Sequence, residues 1–399
     1  GHRAHIGHER VRMSGAETTL AIPQGQFQLH RFPRRKGEPL RAWDAADVYL
    51  LQHLHEEPLA ECDDTWIVND SFGALTVALA GGQRFSMASD SWLAHEGTRA
   101  NLLDNARSSE KVRLVTSLES PPPVVGAVLL KIPKSLALLE DQLRRLRGHL
   151  PEGVRILGAG MSKTIHTSTL RLFECILGPT TTTLARGKAR LVMCQFDKDL
   201  DPGPNPFPTQ YHLEGTDWTL SSHAGVFCRE RLDVGTRRLL EHIPASDSAQ
   251  DIVDLGCGNG VVGLVAAQRN AQARVTFVDE SYMAVASARH NWQAQLGDTR
   301  PAVFEVGDCL APITTESADL ILCNPPFHQH NAMGDATAWR MFTEARRVLR
   351  SGGELLVVGN RHLAYHAKLR RLFGNCDVVD SDRRFVVLRS RSNRSEGDD

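Results

Sequence analysis

Between Asp251 and Arg389, short apolar runs alternate with longer stretches whose apolar positions recur every three or four residues. The runs are DIVDLG (251–256), RVTFVD (274–279), VFEVGD (303–308), ADLILC (318–323), ELLVVGN (354–360) and FVVLR (385–389). Their near-continuous apolar character is that of strands covered on both faces. The intervening stretches 261–270, 283–294, 338–349 and 367–373 carry the helical period. Strand and helix in strict alternation predict an α/β fold around a mostly parallel sheet. DPGPNPFP (201–208) has neither period and predicts an inter-domain linker, placed at 199–218.

The first half follows the same pattern when it is laid over the second. At an offset of 185, Asn69 falls on Asp254, Gly73 on Gly258 and Leu79 on Leu264. At 190, SDSWLAHEGTRAN (89–101) meets DESYMAVASARHN (279–291), and at 193 LLKIP (129–133) meets LCNPP (322–326). Offsets that drift slowly and keep their order predict an internal duplication: two tandem Rossmann-like domains, 27–198 and 219–391. Polar segments at 1–26 and 392–399 are set apart as tails, with Met13 a plausible start after a His/Arg-rich dozen. The copies differ in polar residues. On this overlay Ser71 and Leu75 stand where the second copy has Gly256 and Gly260, Ser89 stands for Asp279, and Lys131 for Asn324. The first copy is expected to be degenerate, keeping the fold and losing the chemistry.

Composition narrows the class. A chain of 399 residues exceeds one comfortable core, and 41% hydrophobic with 23% charged residues is ordinary globular composition. No apolar stretch approaches the ~20 residues of a spanning helix. Eight scattered cysteines without a CxxC pair point to a reducing, cytoplasmic protein without a zinc site. His328 and His330 read as loop surface, not as half a metal site. A net charge of −1 excludes a chain that coats nucleic acid along its whole surface. Locally, however, ten basic residues between Lys134 and Arg190 face four acidic ones. Lys134, Arg144, Arg145 and Lys163 are the candidates there for an RNA contact, although the segment alone reads as a solvated helix face with some strand ends.

The candidate chemistry lies in the second half. DLGCGNG (254–260) follows a strand and opens a helix, and its glycines permit a tight turn that a ligand can approach closely. Asp254 with Gly256, Gly258 and Gly260 resembles the first motif of class I S-adenosylmethionine-dependent methyltransferases. Asp279 ends the next strand, where a carboxylate can accept from both ribose hydroxyls or cap the following helix. Asp308 closes the third strand, and Cys257, Asn259, Glu280 and Cys309 flank these positions. The fourth strand ends in Asn324, Pro325, Pro326 and Phe327 (NPPF). A proline pair cannot continue a strand, but it can hold an acceptor cradle. The Asn324 side-chain carbonyl and the Pro325 backbone carbonyl would grip the two N–H bonds of an exocyclic amine, freeing its lone pair. Phe327 would stack on the base, a contact of ~1–3 kcal/mol in nucleic-acid sites.

NPPF specifies methylation of an amine without naming the substrate. With NPPFH (324–328), SSHAGVFCRERLDVGTRRLLEHIP (221–244) and GNRHLAYHAKLRRLFGNC (359–376), the chain resembles the bacterial ribosomal RNA guanine-N2 methyltransferases, over about Phe27 to Arg389. VDLGCGNGVVGL and NRHL favour the 23S branch over the 16S branch. The resemblance implies S-adenosylmethionine as cofactor and a guanine of protein-free 23S rRNA as substrate. A monomer is expected because the internal duplication already supplies the paired surface a dimer would provide, and no metal or membrane partner is expected. The resemblance also implies that Phe227 closes the pocket from the N-terminal side and that the first copy is an RNA-binding platform. A 16S rRNA guanine-N2 methyltransferase, a non-catalytic RNA-binding scaffold and a protein-glutamine methyltransferase are the alternatives.

Overall fold

The computed structural model describes residues 15–61, 64–227, 229–326 and 332–394. The first half opens with a hairpin, β1 (Thr19–Ile22) and β2 (Gly25–Gln28), followed by α1 (Ala45–Glu56). Then come β3 (Thr65–Val68), α2 (Ala74–Leu79), β4 (Phe85–Ser89), α3 (Trp92–Asp104) and β5 (Val112–Thr116). β6 (Ala127–Lys131), α4 (Leu136–Arg147), β7 (Arg155–Met161), α5 (Thr167–Ile176), β8 (Thr180–Thr182) and β9 (Ala189–Gln195) complete it. The second half opens with the hairpin β10 (Thr209–His212) and β11 (Thr219–Ser222), then α6 (Val234–Glu241). β12 (Asp251–Leu255), α7 (Val261–Arg269), β13 (Arg274–Asp279), α8 (Tyr282–Leu296) and β14 (Ala302–Val306) follow. It ends with β15 (Ala318–Cys323), α9 (Ala332–Val348), β16 (Leu349–Asn360), α10 (Tyr365–Phe373), β17 (Asp377–Ser381) and β18 (Phe385–Arg391).

Each half holds one seven-stranded sheet, ordered β5-β4-β3-β6-β7-β9-β8 and β14-β13-β12-β15-β16-β18-β17. In both, the first five strands are parallel and the last-but-one in the list runs antiparallel to its neighbours. In chain order each sheet therefore reads 3-2-1-4-5-7-6. The reversal between strands 1 and 4 opens a crevice at their C-terminal ends, where open α/β sheets bind ligands. Apolar clusters cover both faces of each sheet, around Phe277 and Phe342 in the second half and Leu75 and Phe173 in the first.

The halves meet through equivalent elements. Ser91, the N-cap of α3, bridges Ser281, the N-cap of α8. The Trp92 N–H donates to the Glu280 carbonyl at 2.9 Å, and the Tyr282 N–H to the Asp90 carbonyl at 3.2 Å. The Ser91 hydroxyl donates to the Glu280 carboxylate at 2.7 Å, and the Ser281 hydroxyl to that of Asp90. Each contact has its mirror, as in the self-complementary interface of a two-fold dimer.

Three expectations change. The hairpin β1–β2 lies inside the segment set apart as a tail, because Leu20, Phe27 and Leu29 bury their side chains against α1 and α2. β10 lies inside the expected linker, because it pairs along its whole length with β11. At the far end, Ser392 exchanges backbone hydrogen bonds with Gly352 and Gly353, so the ordered chain continues past 391.

Candidate active site

A cavity of about 510 Å³ lies at the C-terminal ends of β12, β13 and β15, within the range of small-molecule sites. The β12–α7 loop forms its floor. Gly256, Gly258 and Gly260 all have positive φ, at 69°, 52° and 86°. A Cβ on Gly260 would strike Ala288 at 2.9 Å, whereas a Cβ on Gly258 would meet nothing within 4 Å. The first glycine lets the helix pack, and the second leaves bare backbone for a ligand.

Carboxylates surround this loop. Asp254 is buried and accepts from the Gly263 N–H at 2.9 Å, and burial pushes its pKa up to about 8. Asp279 accepts from the Gly258 N–H at 3.0 Å and the Ser281 N–H at 2.9 Å, and burial raises it too. It therefore stands under the loop, while Ser281 caps α8. Asp308 pairs with Arg340 at 3.0 Å, and burial still raises its carboxyl. These acids line a cavity in which a cationic ligand would relieve the cost of their charge.

Other expected residues fare differently. Cys257 and Cys309 line the cavity as buried thiols, with burial pushing Cys309 up to about 12. The Asn259 amide donates to Tyr211 at 3.1 Å and Ser222 at 3.2 Å, so its side chain ties the loop to the β10–β11 hairpin. The Glu280 carboxylate reaches the cavity wall but is committed to Ser91 in the seam between the halves. Phe227 lines the cavity and is exposed. Asn324, Pro325 and Pro326 line it as well. Phe327, His328 and His330 lie outside the described residues. The buried Cys323 has its pKa raised well above the thiol range by burial, which leaves it no role as a nucleophile.

The polar residues behind Asn324 were not anticipated. Its amide donates to the Thr236 hydroxyl at 3.0 Å and reaches the Asp233 carboxylate at 3.4 Å. The Thr236 hydroxyl in turn donates to Asp233 at 3.3 Å, and Asp233 caps α6 through the Thr236 N–H at 3.1 Å. A carboxylate only accepts, so the chain of donors has one direction. The Asn324 NH₂ must face Thr236, and its carbonyl oxygen is left buried without a hydrogen-bond partner among the described residues. The signal for this was legible in LDVGT (232–236), an N-cap Asp three residues before Thr and just ahead of an apolar pair. Arg31, Phe32, Pro33, Arg35, Phe72 and Leu93 of the first half also line the cavity. No local pattern could have placed them there.

The same positions in the first half hold a different arrangement. β3 and β12 superpose in register when Val68 meets Leu255, an offset of 187. Asn69, with φ 64°, then stands at Gly256 and Gly73, with φ 86°, at Gly260. This shifts the expected overlay by two residues, because turn geometry fixes the register more firmly than letter identity. Ser71, expected at Gly256, meets Gly258, and Gly260 keeps a glycine counterpart instead of Leu75. Asp44 caps α1 as Asp233 caps α6, and Asp47 takes the place of Thr236. Lys131, at the Asn324 position, bonds Asp47 at 2.8 Å and Asp44 at 3.1 Å. Burial would lower this ammonium, but the two carboxylates outweigh it and hold it above the usual lysine range.

Part of the basic segment is engaged within the fold. Arg144 pairs with Glu140 and donates to the Pro202 and Gly203 carbonyls, pinning the Pro-rich connection. Arg145 pairs with Asp141 at 2.7 Å. Both guanidinium groups are thus engaged within the fold. Lys134 and Lys163 are exposed. Among the described residues, Glu241, His242 and Asp380 bring three potential metal-ligand atoms together. Arg238 and His242 both bond Asp380, at 2.6 and 2.9 Å, so the group is an ion-pair cluster.

The sheet order and the glycine loop under a ligand-sized crevice define a class I methyltransferase. Residues 17–198 match the RLMG N-terminal domain family, and residues 217–389 match the methyltransferase small domain. The ribosomal RNA large subunit methyltransferase G of Streptomyces avermitilis is 52% identical over 376 residues, covering 93% of this chain and 98% of the relative. The protein of that name from Erwinia tasmaniensis is 49% identical over 373 residues, covering 93% and 98%. The chain belongs to the ribosomal RNA large subunit methyltransferase G family. A solved T. Thermophilus 16S rRNA N2 methyltransferase, in complex with AdoMet and guanosine, shares the fold with a TM-score of 0.72. It is 22% identical, over 94% of this chain and 98% of that one.

Proposed function

We propose that this enzyme transfers a methyl group from S-adenosylmethionine to the exocyclic N2 amine of a guanine in 23S rRNA, taken as protein-free RNA. The cofactor supplies an electrophilic methyl on a sulfonium. The bare Gly258 backbone and the buried Asp254, Asp279 and Asp308 fit such a ligand, which is flat at one end and cationic at the other. Gly256, Gly258 and Gly260 would pass beneath it, and Asp279 has lone pairs left for ribose hydroxyls. Asp308 would sit toward the base, and Phe227 would close the entrance.

The single observation that carries the amine reading is the buried, unpartnered carbonyl oxygen of Asn324 at the cavity wall. A buried acceptor without a donor costs about 1–3 kcal/mol, and an incoming N–H removes that cost. Asn324 and the Pro325 carbonyl would accept the two N–H bonds of the flipped guanine and orient its lone pair toward the methyl carbon. The proton leaves after transfer, when alkylation has made the nitrogen acidic, so no dedicated base is required. Rate enhancement would then rest on proximity and orientation.

The first half reads as a degenerate copy of the same domain. Its sheet order is the same and its seam contacts mirror those of the second half, but Lys131 with Asp44 and Asp47 fills the place of the amine cradle. The boundaries that fit this reading are 19–198 and 209–394. The mirrored seam already supplies a paired surface, so the working form is a monomer, acting in the cytoplasm where rRNA is made. No helix among the described residues is long and apolar enough to cross a membrane.

The test is radiolabelled methyl transfer to protein-free RNA from the large and small ribosomal subunits, followed by nucleoside analysis. Label should appear as N2-methylguanosine in 23S RNA alone. N2-methylguanosine in 16S RNA would overturn the choice of substrate, and labelled glutamine in protein would overturn the class.

A further inference from the structure

We propose that the loop Arg31–Arg41 of the first half is the phosphate clamp of this enzyme, holding the RNA backbone beside the extruded base at the cavity mouth. The inference rests on the reading above for the identity of its partner, and on the structure for its place.

The loop carries Arg31, Arg34, Arg35, Lys36 and Arg41 against the single acid Glu38, a net charge of +4 in eleven residues. It comes from the half without a cradle, yet Arg31, Phe32, Pro33 and Arg35 form part of the cavity wall in the other half. Its framework is anchored. The Arg31 Nε donates to the Arg41 carbonyl at 2.8 Å, closing the loop upon itself. Asn101 of α3 holds its entry through the His30 carbonyl at 2.9 Å and the His30 N–H at 3.1 Å. Asn291 of α8 makes the same pair of bonds to Ser221. The loop thus corresponds by position to the segment 223–232 of the second half, which lines the opposite wall through Phe227 and Arg231.

Two equivalent loops therefore frame one mouth, and both present arginines to it. Lys36 is exposed and makes no ion pair or hydrogen bond among the described residues, and Arg41 is exposed beside Trp43. Arg35 pairs with Glu38 at 2.6 Å, but surface pairs of this kind are worth only about 0–1 kcal/mol and yield to a phosphate. A flipped base drags its flanking phosphates to the rim of its pocket, and a rim with this charge meets them there. Arg34 of the loop is paired with Asp104 of α3, as Arg145 is with Asp141 on α4, while Arg144 also bonds the carbonyls of the Pro-rich connection, away from this mouth.

The test compares Arg35→Ala/Lys36→Ala, Lys36→Glu and Lys163→Ala with wild type in the full chain. Binding of protein-free 23S rRNA is measured by filter retention across a salt series, without cofactor or turnover. S-adenosylhomocysteine affinity is measured by calorimetry. The double variant should lower the slope of log affinity against log salt by about one per phosphate contact removed, and weaken binding roughly tenfold near physiological salt. Lys36→Glu, whose side chain has no partner to disturb, should weaken binding at least as much should the double variant fold poorly. Cofactor affinity should hold within about twofold in Lys36→Glu, whose residue lies off the cavity wall. An unchanged slope in both loop variants would overturn the clamp, as would a loss of cofactor affinity in place of RNA affinity. Weakening confined to Lys163→Ala would overturn it too and move the RNA to another face. Wild type that binds rRNA tightly, in a loop-dependent way, but methylates no guanine would sink the reaction reading and leave the clamp standing.

Discussion

Thr236→Val tests whether the direction of one hydrogen-bond chain sets the rate. Valine keeps the shape of threonine and removes the hydroxyl that accepts from the Asn324 amide at 3.0 Å. The remaining hold on that amide is the longer contact to Asp233 at 3.4 Å. A neutral hydrogen bond contributes about 0.5–1.5 kcal/mol, and 1.4 kcal/mol is a factor of ten in rate. If the bond acts by keeping the carbonyl of Asn324 toward the amine, kcat should fall about three- to tenfold. Asp233 still disfavours an inverted amide, so the loss stays in that range. Asp233→Asn combined with Thr236→Val removes both constraints and should cost roughly a hundredfold. Thr236→Ser restores the hydroxyl and should recover most of the rate. The assay is single-turnover methyl transfer to protein-free 23S rRNA, with KM for cofactor and RNA measured separately. Serine and valine variants that fall equally would show that packing, not the hydroxyl, matters. Loss confined to the cofactor KM, with kcat intact, would move Thr236 out of the amine cradle.

Two further outcomes follow from buried charge. Lys131→Met strips the buried Asp47 and the half-exposed Asp44 of their counter-ion, and breaking one side of a buried pair costs about 3–5 kcal/mol. The first half should melt at a markedly lower temperature in calorimetry, and adding Asp47→Leu should restore much of the loss. Unchanged melting would show that solvent reaches the group. The seam also titrates. Burial raises Asp90 to about 6 and Glu280 to about 7, above their unfolded values. A raised carboxyl binds its proton more tightly in the folded state, so its stabilisation is full at low pH and is lost as pH rises through about 7. Glu280→Gln cannot titrate. Its stability relative to wild type should therefore change by up to about 3 kcal/mol between pH 5 and pH 8. Parallel denaturation curves across that range would refute the assignment.

Periodicity made most of the second sheet legible, because its strands are buried on both faces and read as uninterrupted apolar runs. β17 escaped notice: DVVDS (377–381) is an edge strand with one half-exposed apolar pair, a weak pattern. The hairpins escaped for a related reason, since four-residue strands such as TLAI and TQYH carry too little pattern to stand out from a tail or linker. The glycine loop was legible because its positive φ angles call for glycine, and the Asn-Pro-Pro run because a proline pair cannot continue a strand. The overlay of the halves erred where it trusted letters over conformation. Asn69 aligns with Gly256 because both are left-handed, and asparagine tolerates that region where most residues do not. The first-half wall of the cavity could not be read at all, because residues 31–35 reach it only through the mirrored contacts of α3 and α8 some 190 positions apart.

Those mirrored contacts tie the first half to the cavity of the second. A single class I domain places its cofactor loop at the sheet edge, with the crevice open on one side. Here Asp90 accepts from the Met283 N–H at 2.9 Å and from Ser281, so the start of α8 is held by the other half. Ser281 is also the N-cap that follows Asp279, and Asp279 accepts from Gly258. A continuous series of bonds therefore runs from Asp90 in the first half, through Ser281 and Asp279, to the glycine on which the cofactor would lie. The plugged cradle contributes rigidity to the same half, since Lys131 ties α1 to the end of β6. On this reading the first half is the support and outer wall of the site.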